Sequence, residues 1–295
     1  MNVDQGNLSA VFTGLKATFT DALSKLEPAP LDVLMAAVPS VTGTEIYPVA
    51  ALLGDLELVL DEVTITNIGR FIQSVPNQTF ARIVQILRND IADDNIGLYT
   101  PAVRSLAQRA GQYHIRLLSA ALLAGFAQVW LPDGQTVFSN THAWPGGVAW
   151  DNLQAATTLT APNFDAACLA LETRAAPDGA PLGLTTTHLI VGPANRAAGE
   201  GIVNTMMILG SNNIYYQRAQ LLVVPRFGQS TAWFVADAGS TKPMLLQNRD
   251  AAEFTAQDRV DDDQAFYREY YAYKARRRCA VAILAPWLIQ ANAGV

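Results

Sequence analysis

Three stretches of this chain predict a mixed helix-and-sheet fold. Residues 70–90 (RFIQSVPNQTFARIVQILRND) are rich in β-branched and aromatic residues on either side of a turn. Residues 100–130 carry one apolar stripe at helical spacing. Beyond residue 150, helical and strand-like segments alternate, the pattern of an α+β or α/β unit.

Taken from the N-terminus, NLSAVFTGLKATFTDALSKL (7–26) places Leu8, Val11, Phe12, Leu15, Phe19, Ala22, Leu23 and Leu26 on one helical face, with Asn7 or Ser9 as the cap. Pro28, Pro30 and Pro39 then favour extended chain, so the N-terminal region reads as an arm carrying a helix. Residues 49–60 (VAALLGDLELVL) fit either a helix interrupted by Gly54 or two short apolar segments. VTITNIGRFIQSV and TFARIVQIL flank the turn signal Pro76-Asn77-Gln78 and predict a hairpin with apolar groups on both faces. An isolated hairpin is marginal in water, so something else has to cover it.

Thr100 caps the next predicted helix, with Pro101 in the first turn, where a missing N–H costs nothing. Val103, Leu106, Ala107, Ala110, His114, Leu117, Ala121, Leu122, Gly125 and Val129 form its apolar stripe, opposite Arg104, Gln108, Arg109, Gln112, Arg116 and Ser119. Run to Trp130, such a helix is about 45 Å long. Residues 132–147 (PDGQTVFSNTHAWPGG) read as loop. They precede a helix near 163–176, the strand THLIVGP, a helix near 194–209 and the strands QLLVVP and TAWFVAD. Residues 254–290 read as extended chain returning to the first region, through an acidic turn at Asp261-Asp262-Asp263 and the Tyr-rich run AFYREYYAYKARRR.

Composition narrows the function classes. With 295 residues, half of them hydrophobic, the chain can bury a substantial core as one large domain or two smaller ones. Charged residues make up 16% of it, against about 25% in typical soluble domains, and mean hydropathy is +0.15. A surface covered by other copies or a large apolar core would each account for that. No apolar run reaches the length of about 18 residues needed to span a bilayer, since Ile115–Trp130 is broken by Arg116, Ser119, Gly125 and Gln128. The first residues carry no basic block before an apolar one, so a soluble, intracellular protein is expected. Cys168 and Cys279 are too few for a disulfide framework or a zinc site and are expected as reduced thiols. A net charge of −6, from 20 basic and 26 acidic residues, disfavours nucleic-acid recognition as the main activity.

Nothing in the residues assembles a catalytic, cofactor-binding or metal site. His114 falls on the apolar stripe, His142 in the loop SNTHAW without a nucleophile motif, and His188 in a strand beside Leu189 and Ile190. None has metal-ligand spacing. Asp90, Asp93 and Asp94, like Asp261 to Asp263, lack the EF-hand pattern and read as turn residues. Gly192, Gly199 and Gly201 form no phosphate-binding fingerprint. Lys274, Arg276, Arg277 and Arg278 are the strongest basic cluster, expected to ion-pair within an alternating strand that includes Tyr267, Tyr270, Tyr271 and Tyr273.

NLSAVFTGLKATFTDAL, RNDIADDNIGLYTP, LPDGQTVFSNTHAW, LIVGPANRAAGE and TAWFVADAGSTKPMLLQNRD, in that order, resemble the major head subunits of Mu-like phages, the T-protein family. The chain departs from that pattern in SNTHAWPGGVAW and in a more basic YREYYAYKARRRCAVAI. The resemblance implies an α+β HK97-like capsid fold. Residues 1–44 would be an N-terminal arm and 45–92 an extended-loop region, with the loop itself at about 62–92. Residues 93–149 would be a peripheral domain with its spine helix at about 98–130, 150–250 an axial domain, and 251–295 a return to the peripheral domain. It implies no enzyme and no cofactor. The implied function is a major capsid protein that assembles as hexamers and pentamers into an icosahedral shell around double-stranded DNA, bound without sequence specificity. Scaffolding protein, portal and a decoration protein would be partners, assembly would take place in the host cytoplasm, and no membrane would be involved. An encapsulin-like compartment is the alternative that shares the fold.

Overall fold

The computed structural model describes residues 2–49, 71–144, 147–208 and 211–295. Helix α1 (Gln5–Ser24) starts at Asp4, whose Oδ1 accepts from the Asn7 N–H at 2.8 Å, three residues ahead of the nearer cap expected from the sequence. Its buried stripe, Leu8, Val11, Leu15 and Phe19, matches the predicted face. It is not a free arm. Those side chains share a core with Val103, Leu106, Phe254 and Tyr273, and Phe19 stacks on Phe254 at 5.0 Å. Strand β1 (Met35–Pro39) is likewise docked, parallel to a C-terminal strand with Met35 opposite Met244.

The predicted hairpin around Asn77 is replaced by two different pairings. β2 (Thr44–Val49) and β3 (Phe71–Pro76) pair antiparallel, with Glu45 opposite Val75. β4 (Gln78–Leu87) instead joins the sheet built by the C-terminal strands, with Phe80 opposite Arg277. Asn77 alone separates β3 from β4, too little chain for even the tightest common hairpin loop. It acts as a pivot: its N–H donates to Gly43 O at 2.9 Å and its Nδ2 to Ser40 Oγ at 2.7 Å. The segment 50–60 and the first part of VTITNIGRFIQSV lie outside the described residues.

After the short α2 (Arg88–Ala92), the single long helix expected over 100–130 is two helices, α3 (Thr100–Gly111) and α4 (Tyr113–Ala124), broken at Gln112 (φ −92°, ψ 13°). The break has an identifiable cause. Arg277 Nη1 donates to the carbonyls of Gly111 at 2.6 Å and Ala110 at 3.2 Å, acceptors that an unbroken helix would use for its own next turn. A Cβ on Gly111 would lie 2.2 Å from Leu26 Cδ1, so the end of α1 packs directly on the break. The second helix stops at Gly125, whose carbonyl takes the Phe138 N–H at 3.0 Å and whose missing Cβ leaves room for the Phe138 ring.

A small pair, β5 (His142–Ala143) and β6 (Ala149–Trp150), leads to β7 (Leu153–Gln154). The predicted alternation then follows as α5 (Ala161–Glu172), β8 (His188–Val191) and α6 (Arg196–Gly199), which continues through a π-turn to Asn204. β9 (Met207–Ile208) and β10 (Ser211–Asn212) form a two-stranded pair, and β11 (Gln220–Val223) and β12 (Trp233–Ala236) follow. β13 (Met244–Gln257), α7 (Asp263–Arg268), β14 (Tyr270–Ile283) and β15 (Ile289–Asn292) end the chain. Two main sheets result, one ordered β1-β13-β14-β4 and the other β11-β8-β12-β15-β7. Because β15 sits between β12 and β7, the C-terminal segment serves both sheets and does not simply return to the first. Leu118 and Leu122 of α4, Phe234 of β12, Leu246 of β13 and Ile283 of β14 share one buried cluster across the junction.

Arg277 is buried and donates to Asn248 Oδ1 at 2.9 Å as well as to the end of α3. Replacing it (Arg277→Met) leaves the carbonyls at the helix break and Asn248 without their charged donor. The expected cost is about 2–4 kcal/mol, measured by urea unfolding of dissociated subunits. Arg277→Lys should recover only part of it, because one ammonium cannot span the helix end and Asn248 as the guanidinium fork does.

Candidate assembly surfaces

The side chains with chemical potential are used as structural fastenings. His114 Nε2 lies 2.9 Å from Asp32 Oδ1, and its Nδ1 lies 3.0 Å from Gly111 O and 3.2 Å from Arg277 Nη1, so the ring is a polar link at the helix break. His142 is buried, bonded through Nδ1 to Asp133 Oδ2 at 2.5 Å and stacked on Trp150 at 4.0 Å. His188 is buried in β8, and that burial lowers its pKa. Cys168 and Cys279 are buried free thiols, both pushed up in pKa by burial.

The acidic groups hold turns. Asp90 accepts a hydrogen bond from Tyr99 Oη, which raises the Tyr99 pKa, and Asp94 takes the left-handed conformation at φ 61°. Asp262 Oδ2 accepts from the Arg259 N–H at 3.1 Å at the start of the turn before α7. Among the described residues no group of three or more His, Cys, Asp or Glu side chains is placed to hold a metal ion. No described helix is long and apolar enough to cross a membrane. The basic run of β14 divides between the two faces of its sheet. Arg276 ion-pairs with Asp250 at 3.1 Å and Glu253 at 2.9 Å, as expected from its strand setting, while Arg277 turns inward to the helices.

What the fold leaves open is apolar surface. The β2–β3 pair turns Tyr47, Gln73 and Val75 toward the body, where Tyr47 Oη donates to Gln247 Oε1 at 3.0 Å and Gln247 Nε2 to Val75 O at 3.3 Å. Its other face exposes Ile46 and Ile72. β4 is an edge strand carrying the exposed Ile83 and Leu87. Met206, Met207, Ile214 and Tyr216 are exposed on and beside the β9–β10 pair, and Phe266 and Tyr267 of α7 are about three-quarters exposed. Single exposed apolar residues are ordinary, but groups of them at protruding tips and edges mark interaction surfaces.

The base of the β2–β3 pair is clamped by a residue that pattern reasoning passed over. Glu45 Oε1 accepts from Ser40 Oγ at 2.9 Å and from the N–H groups of Val41 at 2.8 Å and Thr42 at 2.9 Å. The stretch SVTGTE has the small polar residues of a side-chain-capped turn, which was the available signal.

The family model described as "Mu-like prophage major head subunit gpT" matches residues 8–153, 146–227 and 226–287. The "Mu-like prophage FluMu major head subunit" of Haemophilus influenzae is 31% identical over 159 residues, which span 54% of this chain and 51% of the relative, about half its length. The "Major capsid protein" of Escherichia phage Mu is 23% identical over 281 residues, 95% of this chain and 71% of that protein. Among solved structures, the procapsid of bacteriophage JBD30 superposes with a TM-score of 0.62 at 22% identity, covering 99% of this chain and 76% of that one. The fold is thus the HK97-like fold of phage capsids.

The Glu45 clamp makes the hairpin base pH-sensitive. The Thr42 and Val41 amides, then the Ser40 hydroxyl, hold its pKa at about 2, below the ordinary 4.5. A folded value below the unfolded one means the clamp is fully present above 4.5 and is lost as pH falls toward 2. Amide protection of Val41 and Thr42 should therefore drop between about pH 5 and pH 2. In Glu45→Gln that pH dependence should vanish.

Proposed function

The chain belongs to the Mu-like prophage major head subunit gpT family, and on that premise we propose that it is a structural major capsid protein whose copies form an icosahedral shell around double-stranded DNA. The observation that carries this reading is the β2–β3 pair. It is fixed to the body on one face, apolar and bare on the other, and continues into residues 50–70. An apolar face left bare in this way has no purpose in an isolated subunit and an obvious one where another copy covers it.

In this reading the extended loop is the segment from Thr44 to Pro76, shifted toward the N-terminus from the 62–92 expected from sequence, because β4 belongs to the body. The spine is the α3–α4 pair, the peripheral sheet is β1-β13-β14-β4 with α1 packed against it, and the axial domain is built on the five-stranded sheet. The β9–β10 tip and the α7 tip, with their exposed Met, Ile, Phe and Tyr side chains, are the proposed contacts around symmetry axes. Hexamers and pentamers assembling in the host cytoplasm with scaffolding protein and portal, and a decoration protein on the outside, complete the proposal. Shell contacts of this heterologous kind close only when curvature is controlled, which is the physical role a scaffold would fill. The family's relatives are named head subunit and capsid protein, which supports a DNA-filled shell over an encapsulin-like compartment holding protein cargo.

Replacing residues 50–70 by a short Gly-rich turn between β2 and β3 tests the loop. The expected product is folded, soluble subunits or capsomers that form no stable shells in negative-stain images, whereas the intact chain does form them. Normal particles from the shortened chain would remove the loop's assigned role. Protein cargo in place of nucleic acid inside wild-type particles would favour the compartment reading.

A further inference from the structure

A cleft of about 410 Å³ opens between edge strand β4, the α3–α4 helices and the turn after β11. Arg82, Arg109, Arg116 and Arg226 line it, together with the rings of Phe80 and Tyr113, 4.4 Å apart. Among the described residues no acidic side chain lines it. All four arginines are exposed, and among the described residues none of them has an ion pair; Arg116 only lies over the Tyr113 ring at 5.6 Å. Buried Arg277 stands behind them, already committed to the end of α3. In a chain of net charge −6, four uncompensated guanidinium groups around one groove are a local excess that a matching set of anions would relieve. Guanidinium forks suit carboxylates and phosphates alike, but the aromatic and aliphatic wall favours a ligand in which acid and apolar groups alternate.

The chain carries such a segment. Asp55, Glu57, Asp61 and Glu62 are interleaved with Leu56, Leu58, Val59 and Leu60 in the stretch that joins β2 to β3, where Arg70 is the single basic residue. A chain of that length, out and back, can reach about 35 Å beyond the strands. Within one copy the strands leave from the wrong side. They are fixed to Gln247, opposite Ala280, whereas Cys279 and Arg277, of the other parity on β14, face the helices, and Arg277 lines the cleft. We propose that the arginine-lined cleft is the docking site for the acidic segment 55–62 of a neighbouring copy's extended loop. The proposal rests on the shell reading above and adds to it the residues that specify the contact. The charge match would select the register of loop on neighbour, with like charges penalising every other placement.

The test is charge reversal in the full chain, with the wild type run alongside. Arg82→Glu combined with Arg109→Glu should lower the yield of particles at least about tenfold. Circular dichroism should show these subunits still folded, since both positions are exposed. Adding Asp61→Arg and Glu62→Arg to the same chain should restore particles, while that loop pair alone should fail as the cleft pair does. A Glu57→Cys, Arg109→Cys chain, oxidised after assembly, should give covalent multimers on a non-reducing gel. Unchanged yield from the cleft variant, absence of rescue, or a cross-link confined to monomers would each overturn the proposal. Normal particles with reduced nucleic-acid content would also overturn it, in favour of a phosphate-binding groove. Those results leave the shell reading standing if the wild type makes particles; a wild type that makes none would overturn both.

Discussion

One buried guanidinium holds the helical layer to the sheet. Arg277 rises from the middle of β14, enters the gap between α3 and α4 and satisfies carbonyls at the C-terminal, partly negative end of α3. The same side chain reaches Asn248 on β13 and His114 at the start of α4, and His114 in turn holds Asp32 in the turn before β1. The turn before β1, the α3–α4 break, β13 and β14, far apart in sequence, are therefore fixed by one connected set of hydrogen bonds. Among the described residues its charge has no carboxylate partner in direct contact, and the helix end and the polar neighbours take that part. With the helix broken there, α1 can lie across the junction, and α4 is free to turn toward the second sheet.

The consequence is a body with cores on both sides of the break. Phe19, Phe254, Tyr271 and Tyr273 fill the one beneath α1 and α3. Trp130, Trp144, Trp150 and Trp287 gather with His142 in the one at the sheet junction. Arg174 is buried beside that cluster, over the Trp150 ring, its pKa pulled down to about 10 by desolvation while Trp287 O, Ile289 O and Gln290 accept its hydrogen bonds. A rigid body of this kind suits a subunit that presents several contact surfaces at fixed angles. The unusually low charge has two sources at once: extensive buried cores, and apolar tips and edges left open on the single chain.

Much of this was legible beforehand. The 3.6-residue spacing of Leu8, Val11, Leu15 and Phe19 named the buried face of α1, and the alternation beyond residue 150 named α5, β8, β11 and β12. The same patterns misled wherever a local signal competed with a distant partner. Apolar spacing ran without interruption through Gly111 and Gln112 because it encodes burial, and burial does continue there; the break comes from Arg277, more than a hundred residues away. Turn residues at Pro76-Asn77 suggested a hairpin, yet β3 pairs back with β2 and β4 pairs with β14 far along the chain, and Asn77 only pivots between them. The cleft arginines were invisible for a related reason: Arg82, Arg109, Arg116 and Arg226 come from four elements and form no run.

By itself the sequence determined much of the inventory: where most helices and strands lie, which faces are apolar, and, through five motifs in order, the family. Those properties follow from local backbone preference and from the periodicity of side chains along one element. The tertiary structure alone decided which strand pairs with which, where the long helix breaks, that the N-terminal helix is docked, and which charges meet. Strand edges carry the same N–H and C=O groups whatever their side chains, so pairing is selected by the packing of the whole chain. The β2–β3 pair is the clearest case, since its two strands are separated by residues 50–70 and only the folded body brings them side by side.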